Sequence, residues 1–121
     1  MILSLIYKWE TRQIDFVLAY PQAKVSHDVF MNVPEKFKVD KGELVYDPNA
    51  LSPHKQKDKL KLIQNLYGLK DGGATWFAHL NKGLLARGFK QSLVDPCLFF
   101  KKDLVLITYV DDCIATDVTR R

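Results

Sequence analysis

Three aspartates are the residues of this sequence whose types and positions could support chemistry. Asp111 and Asp112 end the apolar run "DLVLITYVDD", and Asp15 lies inside "QIDFVLAY". Two adjacent carboxylates at the tip of a strand repel each other, and a divalent cation would remove that conflict. Oxygen ligands of this kind suit Mg²⁺ or Mn²⁺. If the strand that carries Asp15 lies beside the hairpin, three carboxylates can hold two metal ions about 3.5–4 Å apart and assist an in-line displacement at phosphorus.

A purely structural interpretation of the aspartate pair also stays open. Asp tolerates unusual backbone angles, so a pair in a turn can simply help the chain to reverse. The flanking segments "LVLITYV" and "CIAT" are apolar and rich in strand-forming residues, which predicts that Val110-Asp111-Asp112 turns a buried hairpin. The second strand-borne acid far upstream, Asp15, favours the metal-binding interpretation.

The segments around these aspartates predict an α+β fold, in which helices pack on one face of an antiparallel sheet. Strands are predicted in "TRQIDFVLAY", in "DVFMNVPEKF" as far as Pro34, and in "KLKLIQNLYGL". The last part, "PCLFFKKDLVLITYVDDCIATD", holds two or three strands with a first turn at Lys101-Lys102-Asp103. The start, "MILSLIYKWE", is interpreted as the end of an amphipathic helix.

A helix is predicted within "DGGATWFAHLNKGLLARG". Trp76, Leu80 and Leu84 recur at helical spacing, with Phe77 and Leu85 beside them. This stripe is typical of a helix that packs against a core, and not of a ligand pocket. Asp71 is a candidate cap for the start of the helix, and Gly88 a candidate for its end.

Length and composition indicate one small domain, predicted to span residues 1–121 with a variable surface loop at 38–58. Hydrophobic residues make up 47% of the chain, which excludes a disordered chain. The net charge of +4 suits a polyanionic partner but is common in ordinary soluble domains. Cys97, Cys113 and the three histidines lack disulfide-framework or zinc spacing, so free buried thiols are expected. No apolar run reaches the roughly eighteen residues of a membrane span, so no membrane partner is expected.

Five segments of the chain, in order, match the motifs of one known family. They are "QIDFVLAYPQA", "VFMNVPEKF", "NLYGLKDGGATWF", "GFKQSLVDPCLFFKK" and "ITYVDDCIATD", and together they span residues 13 to 117. The third is similar to "SLYGLKQAPRQWY" and the fifth to "VYVDDI". The chain thereby resembles the reverse transcriptase, an RNA-directed DNA polymerase, of Ty1/copia-type LTR retrotransposons.

The resemblance implies a polymerase palm with part of the fingers, acting by a two-metal mechanism. Asp15, Asp111 and Asp112 would be the catalytic residues and would bind two Mg²⁺ or Mn²⁺ ions, with the backbone carbonyl of Phe16 as a further ligand. Tyr20 would be the aromatic gate beneath the incoming sugar, where its ring would clash with a 2′-hydroxyl and select deoxynucleotides. Without the family, Tyr20 would be interpreted as an ordinary half-buried aromatic of a strand.

Further site residues follow from the same resemblance. Tyr67, Gly68 and Lys70 match the block that lines the nucleotide and template side, where Gly68 permits close approach of the backbone. Tyr109 and Val110 would lie under the primer end. The implied partners are an RNA or DNA template, a primer strand, deoxynucleoside triphosphates and the rest of a retrotransposon polyprotein, including RNase H and integrase.

The chain departs from the family's motif at Asp71-Gly72-Gly73, where the family usually has Gln-Ala-Pro or similar. Losing the Gln, gaining a negative charge and placing two glycines at a helix start should loosen this segment by about 1 kcal/mol per Gly. The change therefore bears on template or nucleotide contacts made by this block. The departure at Pro21-Gln22-Ala23 is a tolerable variant.

The resemblance also predicts a fragment of a longer protein, because the upstream finger strands, the primer grip, the thumb and RNase H are missing. The parent is expected inside the cell, in a cytoplasmic virus-like particle, and not secreted. The isolated fragment is expected to be inactive. Two alternatives stay open: a non-catalytic fragment that binds nucleic acid through its palm surface and "HKQKDKLK", and a degenerate, inactive element copy.

Overall fold

The computed structural model describes residues 2–45, 47 and 58–119 of the chain. Its elements are α1 (Ile2–Ile6), β1 (Glu10–Asp15), α2 (Ala19–Gln22), β2 (Phe30–Asn32), a 3₁₀ turn (Lys41–Glu43), β3 (Lys59–Lys61), α3 (Gly72–Ala86), β4 (Lys90–Gln91), β5 (Leu98–Lys101), β6 (Leu104–Tyr109) and β7 (Asp112–Asp117). None of the helices in this part of the chain has the length and apolar character needed to cross a membrane.

Among the described residues the main sheet has five strands in the order β1-β7-β6-β5-β4, and all of its pairs are antiparallel. Strands β2 and β3 form a separate antiparallel pair. Strands β5, β6 and β7 follow one another through tight turns, whereas β1 joins β7 from the far end of the chain. The predicted α+β fold with an antiparallel sheet is confirmed at this level. That this fold is a polymerase palm stays a prediction.

Helix α3 supplies the core that positions the sheet. Trp76, Leu80 and Leu84 are buried and form one cluster with Phe99 and other residues. Burying an aromatic or large aliphatic side chain of this kind contributes about 1.5–3 kcal/mol. The predicted stripe is confirmed. The prediction that Leu85 belongs to this packed stripe is wrong, since Leu85 is 48% exposed.

The two ends of α3 differ in how they are stabilised. Gly88 has φ +83°, and its N–H donates to the Leu85 carbonyl while the Phe89 N–H donates to the Leu84 carbonyl. This is a Schellman motif, so the predicted stop at Gly88 is confirmed. Asp71 stands at the predicted start of the helix, but its side chain caps no N–H there. Its carboxylate instead accepts a hydrogen bond from Ser26.

Strand β1 is shorter than the sequence predicted. It ends at Asp15, and α2 begins at Ala19 after a turn in which Leu18 has φ +53°. The predicted strand is therefore wrong beyond residue 15. The physical reason lies in β7, which begins at Asp112 opposite Asp15 and so offers no partner to the residues that follow Asp15. Ala19 packs into the core, which favours a helical turn at this point.

Other parts agree more closely with the patterns. Strand β2 ends at Asn32, just before Pro34, as predicted. "KLKLIQNLYGL" gives only the three-residue β3 before the chain turns, and β4 was not predicted. In the predicted loop 38–58, Val45 pairs with Lys59, and residues 46 and 48–57 lie outside the described residues.

Candidate active site

The strand register brings Asp15 and Asp112 together. In the β1–β7 pair Asp15 lies directly opposite Asp112, and in the β6–β7 pair Asp112 lies opposite Tyr109. Directly opposite residues of an antiparallel pair point to the same face, with their Cβ atoms about 4.5–5.5 Å apart. Asp15, Asp112 and Tyr109 therefore form one row across three strands. This row lies where β1 and β6 end and β7 begins.

Asp111 joins this row through the backbone of the turn. The Phe16 N–H donates to the Asp111 carbonyl at 2.9 Å, so the residue after Asp15 is bonded directly to the hairpin. Asp111 is half-buried, and Asp15 and Asp112 are exposed. The sequence prediction that the strand of Asp15 lies beside the aspartate pair is thus confirmed for the backbone.

The hairpin turn itself is strained and anchored. Val110 has φ +56°, a conformation that β-branched residues avoid. Such strain persists only where surrounding contacts impose it. The two-residue hairpin turn requires this conformation, and the indole N–H of Trp76 holds it by donating to the Val110 carbonyl at 2.6 Å. The buried tryptophan of α3 therefore fixes the turn that carries Asp111.

The donor set fits a hard divalent cation, but the side chains are not gathered around one point. Carboxylate oxygens are the ligands that Mg²⁺ and Mn²⁺ prefer. Within residues 2–45, 47 and 58–119, no three His, Cys, Asp or Glu side chains form a group that could hold a metal ion. One Asp112 oxygen accepts a hydrogen bond from Gln13 at 3.4 Å. The backbone brings the three aspartates together, and side-chain rotations would have to complete a metal site.

The electrostatic field of the aspartate pair reaches the layer beneath it. Cys113 is buried on the opposite face of β7, and burial raises the pKa of its thiol to about 11, with the nearby Asp112 and Asp111 adding to the rise. A negative potential at this end of the sheet follows, and it would attract cations. Cys113 is the buried free thiol that the sequence predicted, whereas Cys97 is only half-buried.

A second group of predicted residues surrounds Tyr20. Its ring stacks on that of Tyr67, with ring centroids 4.7 Å apart and an interplanar angle of 20°. Gly68 follows in the same turn with φ +96°, and the Leu69 N–H donates to the Leu66 carbonyl. A positive φ at the third turn position is typical of a type II turn, which demands glycine.

The other predicted residues occupy the surface around these two groups. Tyr109 is 78% exposed, and Val110 and Lys70 are also exposed. A side chain added at Gly68 would meet open space within the protein, so its predicted role in close approach to a ligand stays a prediction. The correction concerns Tyr20, which lies in α2 and not in a strand.

Sequence reasoning missed Asn65, which links three segments below Tyr20. Its buried amide nitrogen donates to the Lys24 carbonyl at 3.0 Å and to the Thr75 hydroxyl at 2.7 Å, while its backbone N–H donates to Ala23. An Asn inside the apolar "KLKLIQNLYGL" was the available signal, because a buried amide needs partners. Gln13, the partner of Asp112, was also missed.

Comparison with known proteins covers most of the chain. Residues 1–120 match the family model described as "Reverse transcriptase (RNA-dependent DNA polymerase)". The chain belongs to the reverse transcriptase family. The predicted relationship to a retrotransposon reverse transcriptase is therefore confirmed, and the oxygen-donor aspartates agree with the general use of divalent metals in this family.

Three curated relatives of this reverse transcriptase domain come from plants. The chain is 34% identical over 112 residues to the "Retrovirus-related Pol polyprotein from transposon RE1" of Arabidopsis thaliana, which covers 89% of this chain. It is 30% identical over 112 residues, again 89% of the chain, to that from transposon RE2 of the same plant. It is 26% identical over 110 residues, or 87% of the chain, to that from transposon TNT 1-94 of Nicotiana tabacum. In each case the chain spans only 7% of the relative's length. No solved structure matches the chain significantly.

Proposed function

We propose that this chain forms the catalytic centre of an RNA-directed DNA polymerase within a retrotransposon Pol polyprotein. The observation that carries the proposal is the register of β1 and β7, which places Asp15 opposite Asp112 beside the turn of Asp111. The five sequence blocks and the family membership support it. The template, the primer, the deoxynucleoside triphosphates and the RNase H and integrase parts of a polyprotein are the partners we assign.

The reaction is nucleotidyl transfer to a primer 3′-hydroxyl. Asp15, Asp111, Asp112 and the Phe16 carbonyl are the ligands we assign to two Mg²⁺ or Mn²⁺ ions, whose chemistry when bound is to acidify the 3′-hydroxyl and stabilise the pyrophosphate leaving group. The backbone already gathers these residues at one end of the sheet, with Asp15 and Asp112 exposed and Asp111 half-buried, so little of the backbone has to move. The hydrogen bond from Trp76 holds the turn against the repulsion of its acids.

The surrounding aromatic residues would orient the substrates. Tyr109, in the same row as Asp112, offers an exposed ring for the primer end. The Tyr20 ring, fixed by its stack on Tyr67, would exclude a 2′-hydroxyl by its bulk. Positioning of this kind supplies much of the catalysis in phosphoryl-type transfers.

Primer extension on an RNA template with Mg²⁺ tests the proposal in a Pol polyprotein that carries this chain in place of the matching segment. Asp111→Asn is expected to lower the rate at least about 100-fold, because charge at the reacting phosphate loses its stabilisation. Asp103→Asn is the matched control, since Asp103 holds the same turn position in the β5–β6 hairpin. Unchanged activity of Asp111→Asn would refute the assignment.

The same assay separates the enzyme from a non-catalytic nucleic-acid-binding module. Incorporation that depends on Mg²⁺ favours the polymerase. Binding that weakens with salt, ignores Mg²⁺ and comes without incorporation favours the module, which the net charge of +4 would allow.

A further inference from the structure

The tripeptide Asp71-Gly72-Gly73, where the chain departs from the family's motif, is in contact with Tyr20. A Cβ atom at Gly72 would lie 2.9 Å from Cδ2 and 3.2 Å from Cε2 of the Tyr20 ring. A Cβ atom at Gly73 would lie 3.0 Å from the Tyr20 hydroxyl. Neither glycine has a positive φ, so the backbone would accept another residue at both positions. In this chain the Tyr20 ring occupies the space that a side chain at either position would need.

The ring has few ways to move away from a new side chain. One edge of Tyr20 lies along the two glycines, and one face stacks on Tyr67. The backbone that carries it is held by Ala19 and Ala23, which are 0% and 2% exposed. Because Ala19, directly before Tyr20, and Ala23, three residues after it, are packed into the core, a displaced ring must turn about its own side-chain bonds.

Asp71 fastens the same segment from the other side. Its carboxylate accepts a hydrogen bond from the Ser26 hydroxyl and lies 3.4 Å from Nδ1 of His27. The chain that leaves α2 is therefore attached to the start of α3 at two points, the Ser26–Asp71 contact and the Tyr20 ring on the glycines. The three departing residues act together as one seat for the α2 segment.

We infer that Gly72 and Gly73 are positioning residues for nucleotide discrimination, because the seat they form fixes the ring of Tyr20. The inference rests on the proposed function, in which that ring excludes a 2′-hydroxyl. Exclusion by contact changes steeply over tenths of an ångström, so a methyl group at either glycine shifts the boundary between ribo- and deoxyribonucleotides. The substrate class affected is the nucleoside triphosphate, and the expected change is a loss of selectivity for the deoxy form.

The test measures incorporation of deoxy- and ribonucleoside triphosphates by wild type, Gly72→Ala and Gly73→Ala in the polyprotein described above. Both variants are expected to lower the deoxy/ribo ratio at least about tenfold, with a smaller change in deoxynucleotide incorporation. Gly83→Ala is the matched control, because a Cβ there meets only an Arg87 nitrogen at 3.4 Å on the same helix.

A second substitution separates positioning from general disturbance. Tyr20→Phe removes the hydroxyl that the Gly73 methyl would meet, but it keeps the ring carbons that the Gly72 methyl would meet. Tyr20→Phe should therefore restore selectivity in Gly73→Ala and not in Gly72→Ala. If Gly72→Ala fails to fold, as judged by circular dichroism, this rescue of Gly73→Ala decides the matter.

The outcomes are distinguishable. The inference is overturned, and the proposed function stands, if wild type incorporates deoxynucleotides selectively and both alanine variants keep the same selectivity. Where Gly72→Ala does not fold, unchanged selectivity in Gly73→Ala alone has the same meaning. Absence of Mg²⁺-dependent incorporation by wild type overturns the proposed function, and the inference with it. Loss of selectivity that Tyr20→Phe fails to restore in Gly73→Ala also overturns the inference.

Discussion

Val110 is the residue at which local conformation and position in the site conflict most clearly. It is the first of two turn residues between Tyr109 and Asp112, and its φ of +56° costs an L-residue with a branched side chain about 1–2 kcal/mol. Lys102 takes the same position in the β5–β6 hairpin with φ +49°. In both hairpins the chain reverses through a two-residue turn. In the β6–β7 hairpin this short turn places Asp111 directly before the first residue of β7.

We predict that Val110→Asn raises the free energy of unfolding by about 1 kcal/mol, because Asn tolerates the left-handed region. Urea denaturation measures it. Val17→Asn is the control, since Val17 is an exposed valine without a positive φ. Equal effects of the two substitutions would show that the turn conformation is not the cause.

Among the elements, α3 and the β6–β7 hairpin depend on each other. Trp76 is buried in the core and at the same time donates its indole N–H to the carbonyl of Val110. The Phe16 ring packs edge-on against Trp76, with ring centroids 5.4 Å apart. Trp76 therefore contributes both to the packing of the helix and to the geometry of the candidate active site.

Trp76→Phe should destabilise the protein by about 1–3 kcal/mol, since it leaves the Val110 carbonyl without its donor. It should also speed hydrogen exchange of the Phe16 amide, whose acceptor is the Asp111 carbonyl of the same turn. Trp9→Phe serves as the control because Trp9 stacks only on Tyr7 near the start of the chain. Unaltered exchange at Phe16 would contradict the coupling.

The contact between the α2 segment and α3 should depend on pH. The hydrogen bond from Ser26 lowers the pKa of the Asp71 carboxyl, and its own backbone and His27 contribute in the same direction. The folded state therefore binds this proton less readily than the unfolded state does. The stability that results is present above the ordinary pKa of 3.8 and is lost as pH falls through the lowered value.

Unfolding of wild type and Asp71→Asn, measured from pH 7 to pH 2, tests this dependence. Wild type should be the more stable above the ordinary carboxyl pKa, and the difference should disappear at the acid end. Ser26→Ala should remove most of the difference, because it removes the largest cause. A gap that stays constant with pH would exclude the carboxylate as its source.

For the molecule as a whole, the decisive contact is between the two ends of the chain. Gln13 and Asp112, 99 residues apart, lie within hydrogen-bonding distance, and β1 pairs with β7 along its full length. Strands β5 to β7, in contrast, pair with sequence neighbours. Forming a contact between residues far apart in sequence costs loop-closure entropy, so such contacts form late in folding.

Refolding of the chain should therefore take milliseconds to seconds, with amides of β5–β7 and α3 protected from exchange before those of β1. Pulse-labelling hydrogen exchange during refolding measures this order. The row of Asp15, Asp112 and Tyr109 would be completed only in the last step. Protection of β1 at the earliest times would contradict the prediction.

The sequence by itself determined the elements whose signals are local. The apolar stripe of Trp76, Leu80 and Leu84 predicted α3, and Gly88 predicted its end, because both depend on residues within a few positions. The strand-like flanks and the paired acids likewise predicted the β6–β7 hairpin with Asp111 at its turn. The motifs, in order, predicted the family.

Only the tertiary structure decided where partners from distant segments meet. The end of β1 at Asp15 is set by the first residue of β7, and the helical turn that carries Tyr20 is set by its packing on α3. The sequence predicted that the glycines at 72 and 73 weaken a helix start, and the structure shows that they leave space for a ring about fifty positions earlier in the chain. Such pairings leave no local pattern, since their free energy comes from burial and hydrogen bonds between residues that the chain keeps far apart.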